Sequence, residues 1–253
     1  MDVEDRNGVR TITFDRPESL NAFTASAATE LANAIEAVDA AEYDAIVLTG
    51  EGDAFSAGGD LEAMAAREET PKESVDRVTE TLGRVVEAAL SSELPIVAKV
   101  NGDAVGAGLA ITAISDFAYA VESASFSCAF VRVGLVPDTG GTFLLPQLVG
   151  LRTAKRLAMT GEFISATEAG EIGLVNEAVP AEELDETVED LLETLRKRPS
   201  MTIGLTKRAI HENMNRGWRD ALTHEIHTQS LAYGSPEHEE GVRAFLADEE
   251  PDY

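Results

Sequence analysis

The sequence predicts an α/β core followed by a helical C-terminal region. Three observations predict it. Up to about residue 195, short apolar runs bounded by turn residues alternate with segments of helical period. The intervals between those runs are long enough for the crossover helices that parallel strands require. From about Ala181 the apolar runs cease and only helical periodicity remains. The 253-residue chain therefore divides into an α/β core, 1–195, and a helical part, 196–253.

Each element has its own signal. Val9 to Phe14 alternates its faces as a strand does, and Asn7-Gly8 before it signals a hairpin turn. Ala27, Leu31, Ile35 and Val38 recur at helical spacing, which predicts a helix from Thr24 to Ala40. Asp44 to Thr49 is a short apolar strand closed by Gly50, and a short helix starts at about Asp60. Ser74 to Leu90 carries Val78, Leu82, Val85, Val86 and Ala89 on one helical face. Pro95 opens a strand from Ile96 to Val100, and Gly102 to Gly108 turns the chain into Leu109 to Ile114. Phe117 to Val121 is a third buried strand. Four helices follow: Ala181–Arg196, Thr202–Asn215, Trp218–Tyr233 and Pro236–Leu246. The charged segment Arg67 to Glu73 has no apolar anchor and is expected to be a mobile loop.

Composition narrows the function. The formal net charge is −26, with acidic residues spread along the whole chain. Such a field repels phosphate backbones and anionic lipids, so neither a nucleic acid nor a membrane is an expected partner. Only five of the 20 basic residues are lysine. A dispersed acidic surface poor in lysine points to a high-salt cytoplasm, against the blander reading of an ordinary acidic protein. The acidic N-terminus has no apolar segment of the kind a signal peptide carries, and no apolar run reaches the roughly 18 residues of a membrane span. A lone cysteine, Cys128, forms no internal disulfide, which also fits a reducing cytoplasm.

Several segments are candidates for chemistry. Gly50-Glu51-Gly52 fails as a dinucleotide fingerprint, because Phe55 stands where the last glycine belongs. Phe55-Ser56-Ala57-Gly58-Gly59-Asp60-Leu61 and Asn101-Gly102-Asp103-Ala104-Val105-Gly106-Ala107-Gly108 both run from a strand towards a helix start. Either they are simply tight turns, or each offers an unpaired N–H to one carbonyl oxygen, as in an oxyanion hole. His224 and His227 lack a third ligand nearby, so no metal site is expected. No G-x-S-x-G occurs, and Cys128 has no histidine within sequence reach. Asp138, between Pro137 and Thr139-Gly140-Gly141, is an unusual charge in an apolar stretch. Taken alone it reads as a turn or N-cap aspartate for a helix near Thr142.

Together these segments resemble the crotonase, or enoyl-CoA hydratase/isomerase, superfamily. The resemblance rests on Asp15-Arg16-Pro17, Asn21-Ala22, Gly50 to Leu61, Pro95, Asn101-Gly102, Gly106-Ala107-Gly108 and Asp116. It continues through Phe126, Gly134-Leu135-Val136-Pro137, Gly140-Gly141 and Gly173-Leu174-Val175. It implies a spiral of β-β-α units and a C-terminal helical region used for trimerisation, as a homotrimer or a dimer of trimers. It implies acyl-CoA thioester substrates, with coenzyme A as part of the substrate and no separate cofactor. It carries the two oxyanion-hole N–H groups onto Ala57 and Ala107. The CoA thioester is expected along Ser19, Leu20, Ala22, Gly58, Gly59, Asp60, Leu61 and Phe130, with Arg16 a weak candidate for its phosphates.

The departures from the family pattern are specific. The two glutamates that hydratases use to add water align with Ala110 and Phe130, neither of which transfers protons. Asp138 falls where family isomerases carry their catalytic acid, and its Pro-Asp-x-Gly-Gly-Thr setting resembles the epoxyphenylacetyl-CoA isomerase branch. The resemblance thus implies an isomerase acting through one aspartate, expected in a desolvating apolar wall. The alternatives are a hydratase with replacement groups, a dehalogenase-like nucleophilic aspartate, or a noncatalytic thioester-binding protein.

Overall fold

The computed structural model describes all 253 residues. Strands β1 (Asp2–Arg6) and β2 (Val9–Phe14) form an antiparallel hairpin. Asn7 and Gly8 take φ of 50° and 74°, the left-handed pair that a two-residue hairpin turn demands. Helix α1 (Ala25–Glu36) starts at Thr24, whose hydroxyl accepts from the Ala27 N–H. It stops short of the expected Ala40. Then come β3 (Ala45–Gly50), β4 (Ala54–Ser56), α2 (Leu61–Ala65) and α3 (Pro71–Val78). A π-helical turn at Thr79–Gly83 leads into α4 (Arg84–Ser91).

Of the segment expected to be a mobile loop, Arg67–Thr70 lies outside any helix, while Pro71–Glu73 opens α3. Thr70 and Glu73 form a capping box for α3, with the Thr70 N–H donating to the Glu73 carboxylate at 2.7 Å. Polar groups supply the anchor here, with no apolar residue needed.

Next are β5 (Ile96–Val100), β6 (Asp103–Val105), α5 (Ala107–Ile114), β7 (Phe117–Val121) and β8 (Ser125–Ser127). A 3-10 turn at Ala129–Val133 precedes the long α6 (Gly141–Thr160), which breaks at Gly150 where φ is 76°. Three short elements follow: β9 (Phe163–Ser165), α7 (Ala166–Glu171) and β10 (Glu177–Val179). The chain ends in α8 (Leu184–Arg196), α9 (Ser200–Asn213), α10 (Trp218–Tyr233) and α11 (Pro236–Ala247).

Successive turns of the chain feed two sheets. The larger has the order β1-β2-β3-β5-β7-β10 and is parallel from β2 onward. The smaller has the order β4-β6-β8-β9, with β9 antiparallel. Each of β3-β4, β5-β6 and β7-β8 thus places one strand in each sheet before a helix, which is the expected β-β-α spiral. All eight residues of α5 are buried. Phe14 packs edge-on against Phe23 and Phe55, each at 5.1 Å between ring centroids, beneath the site loops. Cys128 is fully buried, and burial pushes its thiol up to about 11. Helix α10 has no buried residue, and no helix is long and apolar enough to cross a membrane.

Candidate active site

Two turns meet backbone to backbone. Gly58, at φ 91°, lies so close to the end of β6 that a Cβ there would come within 2.6 Å of the Val105 carbonyl oxygen and 3.2 Å of the Ala107 nitrogen. Only glycine allows that approach. A bulkier residue at 58 therefore strikes the protein before any ligand. Asn21 and Asn101 hold the intervening Gly50–Asp53 turn. Asn21 donates to the Glu51 and Ala54 carbonyls, and Asn101 accepts from the Gly50 N–H while donating to the Gly52 carbonyl.

The N–H groups of the first turn are nearly all taken. Ala57 donates to the Leu20 carbonyl at 2.8 Å, Gly58 to Ser56 Oγ at 3.1 Å, and Asp60 to the Phe23 carbonyl at 3.0 Å. The N–H of Gly59 has no acceptor. This corrects the expectation for Ala57, whose donor is already engaged. The Leu20 carbonyl takes the Ala57 donor, and the isolated parallel bridge between Phe23 and Gly59 leaves the Gly59 N–H unpaired; local sequence reveals neither pairing. On the second turn Ala107 is the first residue of α5, so its N–H has no intrahelical partner.

Asp138 follows the 3-10 turn. Its Oδ1 accepts from the neighbouring Thr139 hydroxyl at 2.8 Å, and its carbonyl accepts from the Gly141 N–H. Thr139 and Gly140, both at positive φ, turn the chain sharply here. Asp138 itself is exposed in the single chain, so the expected desolvating wall is not complete around it. A cavity of about 330 Å³ brings Asp138 and Gly59 together, walled by Phe23, Met64, Val78, Leu82 and Leu135. Its other carboxylate is Glu69, in the connection between α2 and α3. Arg77 grips Glu69 at 2.6 and 2.9 Å and holds its carboxyl below the usual range.

The remaining expected residues fall in two groups. Ser19, Leu20 and Ala22 form a strap beside the turn of Gly58 to Leu61, with Leu20 and Asn21 both at positive φ and Leu20 and Leu61 exposed. Arg16 ties that strap down. It donates to the Ala22 carbonyl at 2.6 Å and pairs with Asp60 at 3.1 Å, so it is not free for a phosphate. Asp60 caps α2 through the Ala63 N–H; that bond, with Arg16, holds its carboxyl below the usual range. Phe130, by contrast, is buried in the core and does not line the cavity, because the 3-10 turn points it inward. Ala110 lies inside α5.

A larger cavity, about 580 Å³, opens between α5, α6 and α9. It contains none of the turn amides. Asp116 and Lys207 are among its lining residues.

The family model described as "Enoyl-CoA hydratase/isomerase" matches residues 4–253. The chain is 38% identical over 250 residues to a "Probable enoyl-CoA hydratase" of Rhodobacter capsulatus, covering 99% of this chain and 96% of that protein. It is 35% identical over 248 residues to the "1,2-epoxyphenylacetyl-CoA isomerase" of Escherichia coli, covering 97% and 95%. Among solved structures, an enoyl-CoA hydratase of Mycobacterium smegmatis superposes with a TM-score of 0.93 at 30% identity, covering 99% and 98%.

Proposed function

Because this chain belongs to the enoyl-CoA hydratase/isomerase family, we propose that it is an isomerase that shifts a double bond along an acyl-CoA thioester. One observation carries the choice of isomerase over hydratase. Asp138 is the only carboxylate lining the cavity that no cation grips, since Glu69 is held by Arg77. Water addition in this family draws on two proton-transferring carboxylates, whereas a double-bond shift needs one base that later acts as the acid.

In this reading the thioester oxygen of a 3-enoyl-CoA accepts hydrogen bonds from the N–H groups of Gly59 and Ala107. Asp138 takes a proton from C2. The C–H electron pair becomes the C1=C2 bond of a dienolate, whose negative oxygen rests on the two amides. Asp138 then returns the proton at C4, leaving C2=C3 and a restored thioester carbonyl. Each preorganised donor contributes roughly 3–4 kcal/mol to stabilising the oxyanion. Coenzyme A lies along Ser19, Leu20 and Ala22 and the backbone of Gly58 to Leu61, and no other cofactor takes part.

The exposed apolar face of α10 supports assembly into a homotrimer or a dimer of trimers. Trp218, Leu222 and Ile226 follow one another at four-residue spacing and are 67%, 47% and 59% exposed. Packing within the subunit, which explains such spacing equally well on sequence grounds, does not cover them.

The test is turnover of a 3-enoyl-CoA by the native protein and by Asp138→Asn in molar salt. The variant is expected to lose several powers of ten in kcat with thioester affinity little changed. Rapid hydration of crotonyl-CoA that survives Asp138→Asn overturns the proposal in favour of a hydratase. An inactive native protein that still binds thioesters favours a noncatalytic binding role.

A further inference from the structure

Arg77 shares the candidate cavity with two carboxylates. Glu69 takes it at two points, Nε to Oε2 at 2.9 Å and Nη2 to Oε1 at 2.6 Å. Nη2 also reaches Ser74 Oγ at 3.3 Å, while Nη1 makes no bond within the protein. Asp138 lines the same cavity and its charge acts on Arg77. The capping box at Thr70 and Glu73 fixes the turn between Glu69 and the helix bearing Arg77, so the pair is held from both sides.

The choice Arg77 makes has chemical consequences. A cation beside a carboxylate stabilises its charged form and so weakens it as a proton acceptor, by roughly one to three pH units at contact. A guanidinium bound in a two-point fork to one carboxylate is oriented away from another. The charged groups facing the cavity are Arg67, Glu69, Arg77 and Asp138. Nearby, Glu73 is turned onto Thr70, and Lys72 and Asp76 pair with each other in solvent.

We propose that Glu69 is a positioning residue that holds Arg77 off Asp138, leaving the base unpaired and strong enough to take a proton from substrate. This rests on the reading of Asp138 as the acid/base group. In that arrangement Glu69 never touches substrate. It acts by occupying the cation that would otherwise disable the base.

Three variants test it: Glu69→Gln, Arg77→Met and the double variant. In crystals of Glu69→Gln, Arg77 is expected to have turned onto the Asp138 carboxylate. With a 3-enoyl-CoA, Glu69→Gln should lower kcat roughly tenfold with KM little changed. The acid limb of its kcat/KM profile should move about one unit to lower pH. Arg77→Met should move that limb the other way. The double variant should behave as Arg77→Met alone, so that the harm of losing Glu69 vanishes once Arg77 is gone. An Arg77 that stays in place in Glu69→Gln, an unmoved profile, or a loss that persists in the double variant overturns the inference. Failure of the Asp138 reading looks different: Asp138→Asn then retains turnover, while the position of Arg77 in Glu69→Gln crystals still decides the pairing.

Discussion

Lys207 on α9 and Asp116 at the start of β7 form a buried ion pair, with Nζ 2.7 Å from Oδ2. Lys207 also donates to the Leu94 carbonyl at 2.8 Å, and Asp116 accepts from the Ile96 N–H. The pair pins the first C-terminal helix to the N-terminal ends of β5 and β7, two inner strands of the larger sheet. Burial pulls Lys207 below the ordinary lysine range, with Asp116 acting against that. Removing one partner leaves the other charge buried and unbalanced, which costs about 3–5 kcal/mol. Lys207→Met is therefore expected to lower the denaturation midpoint substantially, as read by urea unfolding in molar salt. A midpoint unchanged from native would show that the pair does not hold α9.

Ala107→Pro deletes one N–H and puts the proline Cδ where that hydrogen pointed. Proline is tolerated at the first position of a helix. Gly106 before it, at φ 55° and ψ −114°, lies outside the helical region that a following proline disfavours. The variant should melt close to native while kcat falls by about 100- to 1000-fold. Near-native turnover would remove Ala107 from the oxyanion hole.

Asp60 links acidity to the site loops. Its carboxyl lies below the usual range because the charged form is bonded to the Ala63 N–H and to Arg16. A depressed carboxylate stabilises the fold above its unfolded value of about 3.9 and loses that contribution as pH falls through the folded value. Asp60→Ala should thus melt a few degrees below native near pH 7, and the gap should close in acid. A gap of constant size from pH 7 to pH 2 would show that charge at Asp60 plays no part.

Assembly and salt are coupled by the acidic surface. At 0.01 M salt the Debye length is about 30 Å, comparable to a subunit, and at 1 M about 3 Å. With −26 charges per chain, subunits should separate or unfold in dilute buffer and assemble in molar salt. Light scattering across a salt series checks this, and Ile226→Glu should give monomers even at high salt. Assembly indifferent to both changes would mean that α10 is not the contact face.

The strands of five or six residues were the most legible part of the chain: Val9–Phe14 begins and ends where its alternation does, and Ile96–Val100 and Phe117–Val121 where their apolar runs do. Trp218–Tyr233 matches as well, because Gly217 and Gly234 bound its helical pattern. Strands β4, β6 and β8 have three residues each, too few for a period to show. The site was legible in its motifs but not in its bonding. Gly59 rather than Ala57 keeps a free donor because Phe23 pairs beside it. Arg16 loses its freedom to Asp60, 44 residues away. Glu69 was hidden because its partner and the cavity it lines come together only in the fold.

The single thiol at the centre of this chain doubles as a clock. Cys128 has no exposed surface and is held well above the range in which thiols react at neutral pH. A thiol reagent therefore labels it only when the surrounding structure opens. Labelling rates measured over a range of reagent concentrations would time those openings with no dye attached and no residue replaced.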